Sequence, residues 1–169
     1  MAISMSEASI GLFSPFLRNL SGVLEQAASH AEQRKIDPAA LLGMRLYPNM
    51  YDLAQQVAEA IRHAVTASAL LAGREPLASA AERPNFWDVQ GRITAAINFL
   101  EILPREVIDE AADRDVIFTL RSGKQLHFTG RSLLLTFSVP QFFFHVTTAY
   151  DILRRAGVQL AKPDFLGRR

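Results

Sequence analysis

The part of this sequence that most constrains the fold is the stretch at residues 140–157, which carries the signals of one complete helix. It opens with Pro140, which a helix tolerates in its first turn, and it ends with Gly157, which suits the residue just after a helix. Arg154 and Arg155 lie in the last turn, where positive charge favours the negative end of the helix dipole. Because the stretch is also rich in apolar side chains, we expect it to be a central helix of a bundle.

Three further segments carry apolar side chains every three or four residues, which predicts helices with one buried face each. The first follows a Ser-x-x-Glu capping box at residues 4–7. The second runs from Pro48 to Gly73, and the third runs from Asn85 to Pro104. Together with the stretch at 140–157, they give four main helices.

Between the third and the last helix the apolar period changes from 3.6 to 2, which predicts a β-hairpin. A two-residue turn at Ser122 and Gly123 would place the apolar faces of the two strands on opposite sides. A three-residue turn with Gly123 in the left-handed conformation pairs Phe118 with Leu126 and matches the apolar faces, so we favour it. The predicted class is all-α: a four-helix bundle with a small β-hairpin inserted before the last long helix, in a single domain over residues 1–169.

The composition excludes several classes of function. The 169 residues are 49% hydrophobic and 21% charged with a net charge of +1, so no basic surface points to nucleic acid. No apolar run is long enough to cross a bilayer, so we expect no membrane association. The N-terminus lacks the basic and apolar regions of a signal peptide, and the chain has no cysteine, which predicts a cytoplasmic protein without disulfides or thiolate ligands.

Two of the four histidines are candidates for a site. His30 is expected near the end of the first helix and His127 on the polar face of the hairpin, and we expect both to be solvated. His63 and His145 lie in or beside stripes that face the bundle. They could be ligands of an open metal site, or neutral buried histidines bonded to neighbouring polar groups. We favour the second interpretation, because no H-x-x-x-H pair is present.

Two glutamines accompany these histidines. Gln56 is two helical turns before His63, and Gln141 is one turn before His145, so each shares a face with its histidine. Amide oxygens are poor ligands for zinc and nickel. We therefore predict a polar pocket of Gln56, His63, Gln141, His145 and Tyr150 with no metal, no assigned catalytic residue, and His63 and His145 as the ligands if zinc or nickel does bind.

The helix-borne carboxylates contribute nothing to this predicted pocket. These carboxylates fall mostly on the outward faces of the predicted helices. They belong to Glu25, Glu32, Glu59 and Glu101. The paired carboxylates Asp113 and Asp115 flank the hairpin, and we interpret them as solvated loop charges. No glycine-rich phosphate loop or nucleophile motif is present.

Phe142, Phe143 and Phe144 occupy consecutive positions, which lie about 100° apart around a helix. They cannot all face one core, so either the helix is enclosed on most sides or one ring is covered by another subunit. We expect a homodimer.

The chain resembles a bacterial and fungal family of domains of unknown function, DUF1993, which is related to the DinB/YfiT-like superfamily. The resemblance is carried by residues 140–158 and 162–167, and it is supported by residues 9–20, residues 45–50 and Gln56. It implies a DinB-like four-helix bundle that is often dimeric. Many DinB-like proteins bind a divalent metal through three histidines, and some act as metal-dependent thiol transferases or isomerases.

The same resemblance assigns the expected ligand positions. His145 stands at the second histidine of the helix-four pair, Gln141 stands at the first, and Gln56 stands at the histidine of helix two. Because amides occupy two of the three places, we expect a degenerate, metal-free pocket that binds a small molecule or belongs to a dimeric interaction module. The alternative is a divalent-metal-dependent enzyme, a hydrolase or thiol transferase, that uses His63 and His145.

Overall fold

The computed structural model describes residues 3–78 and 84–168, and most of them are helical. In chain order the helices are α1 (Met5–Ala8), α2 (Ile10–Arg34), α3 (Pro38–Leu42), α4 (Leu53–Leu71), α5 (Phe86–Glu101), α6 (Arg105–Asp109), α7 (Gly130–Ser132), α8 (Val139–Arg155) and α9 (Lys162–Leu166). The strands β1 (Asp115–Thr119) and β2 (Gln125–Thr129) lie between α6 and α7, and a π-helical segment, Leu133–Ser138, joins α7 to α8.

The four long helices α2, α4, α5 and α8 form the bundle, with α4 packed against each of the other three. Their inward faces contribute large side chains that are almost fully buried, among them Phe13, Leu17, Leu53, Ile93 and Phe142. Burying a side chain of this size stabilises a fold by roughly 1.5–3 kcal/mol. The predicted four-helix bundle with a hairpin before its last long helix is confirmed.

Helix α4 begins later than the sequence predicts. Asp52 is its N-cap and forms a capping box with Gln55, so the first helical residue is Leu53 rather than a residue next to Pro48. Arg45 and Asp52 form an isolated antiparallel bridge, and the residues between them bend and turn instead of forming helix.

The hairpin has the predicted register. Phe118 pairs with Leu126, and the amide of Leu120 donates to the carbonyl oxygen of Lys124 at 2.8 Å, which leaves a three-residue turn. Gly123 has a φ of +83°, the left-handed conformation that glycine adopts at no steric cost. Phe118 lies in a small apolar cluster with Ala67 of α4, so the hairpin packs onto the bundle over the site described below.

The last helix ends as predicted but starts earlier, because helical backbone already begins at α7. In the π-helical segment the amide of Val139 donates to the carbonyl oxygen of Leu134, five residues back. At the other end Gly157 is left-handed, with a φ of +89°, one residue beyond the C-cap. Within the described ranges, no helix combines the length and the apolar character needed to span a membrane.

Candidate functional site

Helix α4 presents three polar side chains on one buried face. Gln56, Glu59 and His63 are spaced by three and four residues, which places them on the same side of the helix. They are only 1%, 6% and 3% exposed. Helix α8 packs against this face and contributes His145, which is 6% exposed. Buried polar groups at this density need partners, so the contacts of each one define the site.

Three of these residues bring possible metal-ligating atoms together. One ligand atom each from Glu59, His63 and His145 lies within 4.8 Å of the others. Zinc ligands lie at about 2.1 Å from the ion, so two of them can be at most about 4.2 Å apart. The widest pair of this cluster would therefore have to close by no more than about 0.6 Å to share one ion.

Gln56 determines which nitrogen of His145 carries the proton. The Nε2 group of Gln56 donates to the carbonyl oxygen of Tyr51 at 3.1 Å, which turns Oε1 toward His145. The Nδ1 atom of His145 lies 2.7 Å from that oxygen. Because an amide oxygen only accepts, Nδ1 is the donor, and the lone pair of the neutral ring lies on Nε2.

His63 sits among aromatic rings and has an unpaired nitrogen. Its ring stacks on Phe118 at 5.5 Å between centroids and on His145 at 5.9 Å, while the edge contact with Phe137 is 5.4 Å. Its Nδ1 atom is buried and makes no hydrogen bond with any described residue. Leaving a buried polar atom without a partner costs about 1–3 kcal/mol of folding free energy. A ligand that binds this nitrogen would recover that cost.

Both histidines are neutral at pH 7. Burial, reinforced by the nearby His145 and Arg62, lowers the pKa of His63 to about 4, although Glu59 acts in the opposite direction. Burial also lowers the pKa of His145, again against the influence of Glu59. Neutral imidazole is the form that can donate a lone pair to a metal.

Two arginines form ion pairs with Glu59. Arg121, in the turn of the hairpin, donates from Nε to one carboxylate oxygen. Arg62, one turn along α4, donates to the other oxygen at 3.4 Å. Arg62 is itself held by the carbonyl oxygen of Thr119 and lies 4.9 Å from the centre of the Phe118 ring. The hairpin therefore supplies part of the charge environment of a carboxylate that α4 carries.

The structure does not bring every predicted pocket residue to this cluster. Gln56, His63 and His145 lie together, but Gln141 is half-buried and its side chain makes no hydrogen bond with the described residues. Tyr150 packs its ring on Phe165, with 5.8 Å between the centroids. It lies five residues after His145, which turns it about 140° away around α8.

Glu59 and Arg121 belong to the site although neither was predicted from the sequence. The expectation that the helix-borne carboxylates face outward is wrong for Glu59, which is buried beside both histidines. A signal was present, because Glu59 lies three residues after Gln56 and four before His63 on the same face. The contribution of Arg121 depends on where the hairpin docks. His127 is exposed, as predicted, while His30 is half-buried.

The donor set fits a divalent transition metal. Two neutral imidazoles and one carboxylate are the ligand types that zinc, nickel and iron share. The unpaired Nδ1 of His63 and the proton fixed on Nδ1 of His145 both agree with such a centre. This set differs from the one implied by the family resemblance, since Glu59 and His63 replace the positions of Gln56 and Gln141.

Comparison with known proteins relates the chain to a family model and to solved structures. Residues 5–166 match the family model described as domain of unknown function DUF1993. A crystal structure of a DinB family member protein from Shewanella denitrificans superposes with a TM-score of 0.85 at 29% sequence identity, covering 96% of this chain and 91% of that one. A search of curated proteins found no match.

Proposed function

The chain belongs to the DUF1993 family, and on this premise we propose that its DinB-like bundle binds one divalent transition-metal ion through Glu59, His63 and His145. The observation that carries the proposal is the convergence of three buried donor side chains within 4.8 Å. The sequence-based expectation of a metal-free pocket counted only two histidines as candidate ligands. Glu59 supplies a third ligand, and three protein ligands are what an open zinc site uses.

Each neighbouring residue has a role in this proposal. Gln56 accepts a hydrogen bond from Nδ1 of His145, which orients the imidazole ring and leaves its Nε2 atom free to bind the metal. Arg62 orients the carboxylate of Glu59, and the rings around His63 exclude water from one side of that imidazole. A divalent ion held there would act as a Lewis acid on a bound substrate group, as a hydrolase or a thiol transferase requires.

A metal-free pocket is the second candidate, and one observation favours it. Both oxygens of Glu59 already face guanidinium groups, so its charge is compensated without a cation. In that case the cluster would be a polar pocket for a small molecule, and the unpaired nitrogen of His63 would bind it.

Metal titration separates the two candidates. The protein, purified without a polyhistidine tag and stripped with chelator, is titrated with Zn²⁺ or Ni²⁺ by calorimetry, and its bound metal is measured by elemental analysis. We expect one ion per chain, and at 100 times the dissociation constant the ion should stabilise the fold by about 2.7 kcal/mol.

The variants His63→Ala and His145→Ala should each lose stoichiometric binding, and Glu59→Gln should weaken it. His127→Ala is the matched control, because it removes an exposed histidine from the hairpin. Circular dichroism of each metal-free variant checks that the bundle still folds. Absence of stoichiometric metal from the wild type would support the metal-free pocket instead. Equal loss in the His127 variant would contradict the assignment of the ligands to this cluster.

A further inference from the structure

We propose that the metal-loaded site binds a small oxyanion, a carboxylate or a phosphate, and that Arg121 is the residue that recognises it. This inference rests on the proposed function and adds a ligand class to it.

Arg121 has N–H donors that are not used in hydrogen bonds with the described residues. Its Nε group is paired with Glu59, but within residues 3–78 and 84–168 its two terminal nitrogens make no hydrogen bond. Its side chain is 51% exposed, so these nitrogens can reach a ligand in solvent. Arg62 differs, because its side chain is 20% exposed and both of its terminal nitrogens are engaged. Arg121 is therefore the arginine that can change partners.

The charge of the site favours an anion. Glu59 is the only carboxylate within ion-pair distance of Arg62 or Arg121 in the described part of the chain. Two guanidinium groups and one carboxylate carry a net charge of +1, and a divalent ion would raise it to +3. Imidazole ligands are neutral and would not offset this charge. Since concentrated charge is costly away from water, a metal-loaded site of this composition attracts anionic ligands.

Metal binding would also weaken the present pairing of Arg121. A carboxylate that shares its charge with a divalent ion holds a guanidinium group less strongly, because the cation and the arginine repel each other. The planar guanidinium fork forms two parallel hydrogen bonds with a carboxylate or a phosphate group. Arg121 therefore has the chemistry to exchange one oxyanion, Glu59, for another that belongs to a ligand.

The first test uses cobalt-loaded protein, whose visible spectrum reports changes at the metal. Acetate and inorganic phosphate are titrated separately, which distinguishes the two sources of oxyanion. Arg121→Gln should retain one cobalt ion per chain but bind the preferred anion about 10-fold to 100-fold more weakly, as expected for loss of a charged hydrogen bond. Lys124→Gln is the control, because it removes a positive charge from the exposed part of the same hairpin and should bind the anion as the wild type does.

The second test needs no metal. In chelator, Glu59→Gln removes the carboxylate that occupies Arg121, so this variant should bind phosphate or acetate more tightly than the metal-free wild type. The double variant Glu59→Gln/Arg121→Gln should lose that gain.

The outcomes separate this inference from the proposed function. Failure of wild-type protein to bind metal contradicts the proposed function, and the metal-free test still decides the role of Arg121. Unchanged anion binding in Arg121→Gln, or in the double variant relative to Glu59→Gln, overturns the inference. Circular dichroism confirms that each variant is folded.

Discussion

At the scale of single residues, the chemistry of the site depends on which nitrogen of His145 is protonated. Gln56 decides this, because the carbonyl oxygen of Tyr51 fixes the orientation of its amide and the His145 ring must then donate from Nδ1. The resemblance to DinB-like proteins places Gln56 where a ligand would stand. In the structure it instead accepts a hydrogen bond from His145, so under the proposed function it orients that ligand.

Replacing Gln56 by leucine should therefore weaken metal binding without removing a ligand. We expect Gln56→Leu to lower the affinity for Zn²⁺ by about 10-fold to 100-fold, the usual effect of losing such an orienting hydrogen bond. Gln56→Glu keeps an acceptor for Nδ1 and should restore most of the affinity. Competition titration with a chromophoric chelator measures both.

Gln141→Leu is the control for this experiment. Its amide lies one turn before His145 but makes no hydrogen bond with the described residues, so its loss should leave the affinity unchanged. Equal weakening in both leucine variants would contradict the assigned role of Gln56.

His63 should make the stability of the metal-free protein sensitive to acid. Its pKa is about 4 in the folded protein and 6.5 in the unfolded chain, so the unfolded state binds more protons between these values. The free energy of unfolding should be unaffected by this residue above pH 7. It should fall by roughly 3 kcal/mol as the pH drops from 6.5 to 4.

Urea unfolding at a series of pH values, in the presence of chelator, measures this dependence. His63→Phe introduces a ring that does not titrate among the aromatic neighbours of the site, so it should flatten the curve. His127→Gln should keep the wild-type slope because that residue is exposed. A slope that survives in His63→Phe would show that other groups cause the acid sensitivity.

At the scale of elements, the segment between the hairpin and α8 contributes both a π-helical turn and an aromatic contact with the site. The π-helical turn at Leu133–Ser138 precedes Pro140, which has no amide hydrogen to donate. Phe137, within this turn, contacts the ring of His63. Turns of this kind are often found at functional sites, where they shift the register of side chains.

The start of this segment depends on close backbone packing at Gly130. A Cβ atom there would lie 2.0 Å from the carbonyl oxygen of Ala111 and 2.8 Å from Cδ2 of Leu71. The amide of Gly130 also donates to the carbonyl oxygen of Arg114 at 2.8 Å. Space, rather than backbone conformation, is what requires glycine at this position.

Gly130→Ala should therefore destabilise the protein by about 2–3 kcal/mol, the cost of forcing a methyl group into a packed interior. Gly22→Ala in α2 is the matched control, since a Cβ atom there meets nothing within 4 Å. That control should stabilise the helix by roughly 0.5–1 kcal/mol. Chemical denaturation measures both, and similar effects of the two substitutions would show that the close approach is not rigid.

At the scale of the whole molecule, the three consecutive phenylalanines face different surroundings. Phe142 is fully buried against Phe13, and Phe143 is half-buried against Phe16. Phe144 touches His145 but remains 53% exposed. The bundle of a single chain thus encloses two of the three rings, and the homodimer inferred from the sequence stays a prediction.

Light scattering over a range of protein concentrations tests this prediction. We expect a dimer whose mass does not change with dilution, and we expect Phe144→Ser to shift it toward monomer because the exposed ring would be buried between subunits. Trp87→Ser is the control, since it removes another exposed aromatic ring, from α5. A monomeric wild type would contradict the prediction.

Local signals in the sequence predict most of the helices and both strands of this protein. The apolar period, the caps at Ser4 and Asn85 and the left-handed glycines at 123 and 157 are local signals, and each acts through neighbours along the chain. These signals predict the main helices and the register of the hairpin. Together with the family resemblance, they also predict the bundle. The start of α4 was predicted too early because the bridge before it pairs residues that no periodicity marks.

The composition of the site, in contrast, depends on how the helices and the hairpin pack together. A periodic pattern shows which side of a helix is apolar, but it does not show how far a partner helix covers the polar positions at the edge of that side. Packing of α8 against α4 buried Glu59 beside His63, joined Gln56 to His145 across 89 positions of sequence, and left Tyr150 elsewhere. Docking of the hairpin then brought Arg121 to Glu59. These contacts join residues far apart in the chain, so the rotations of packed elements, which no local signal encodes, determine them.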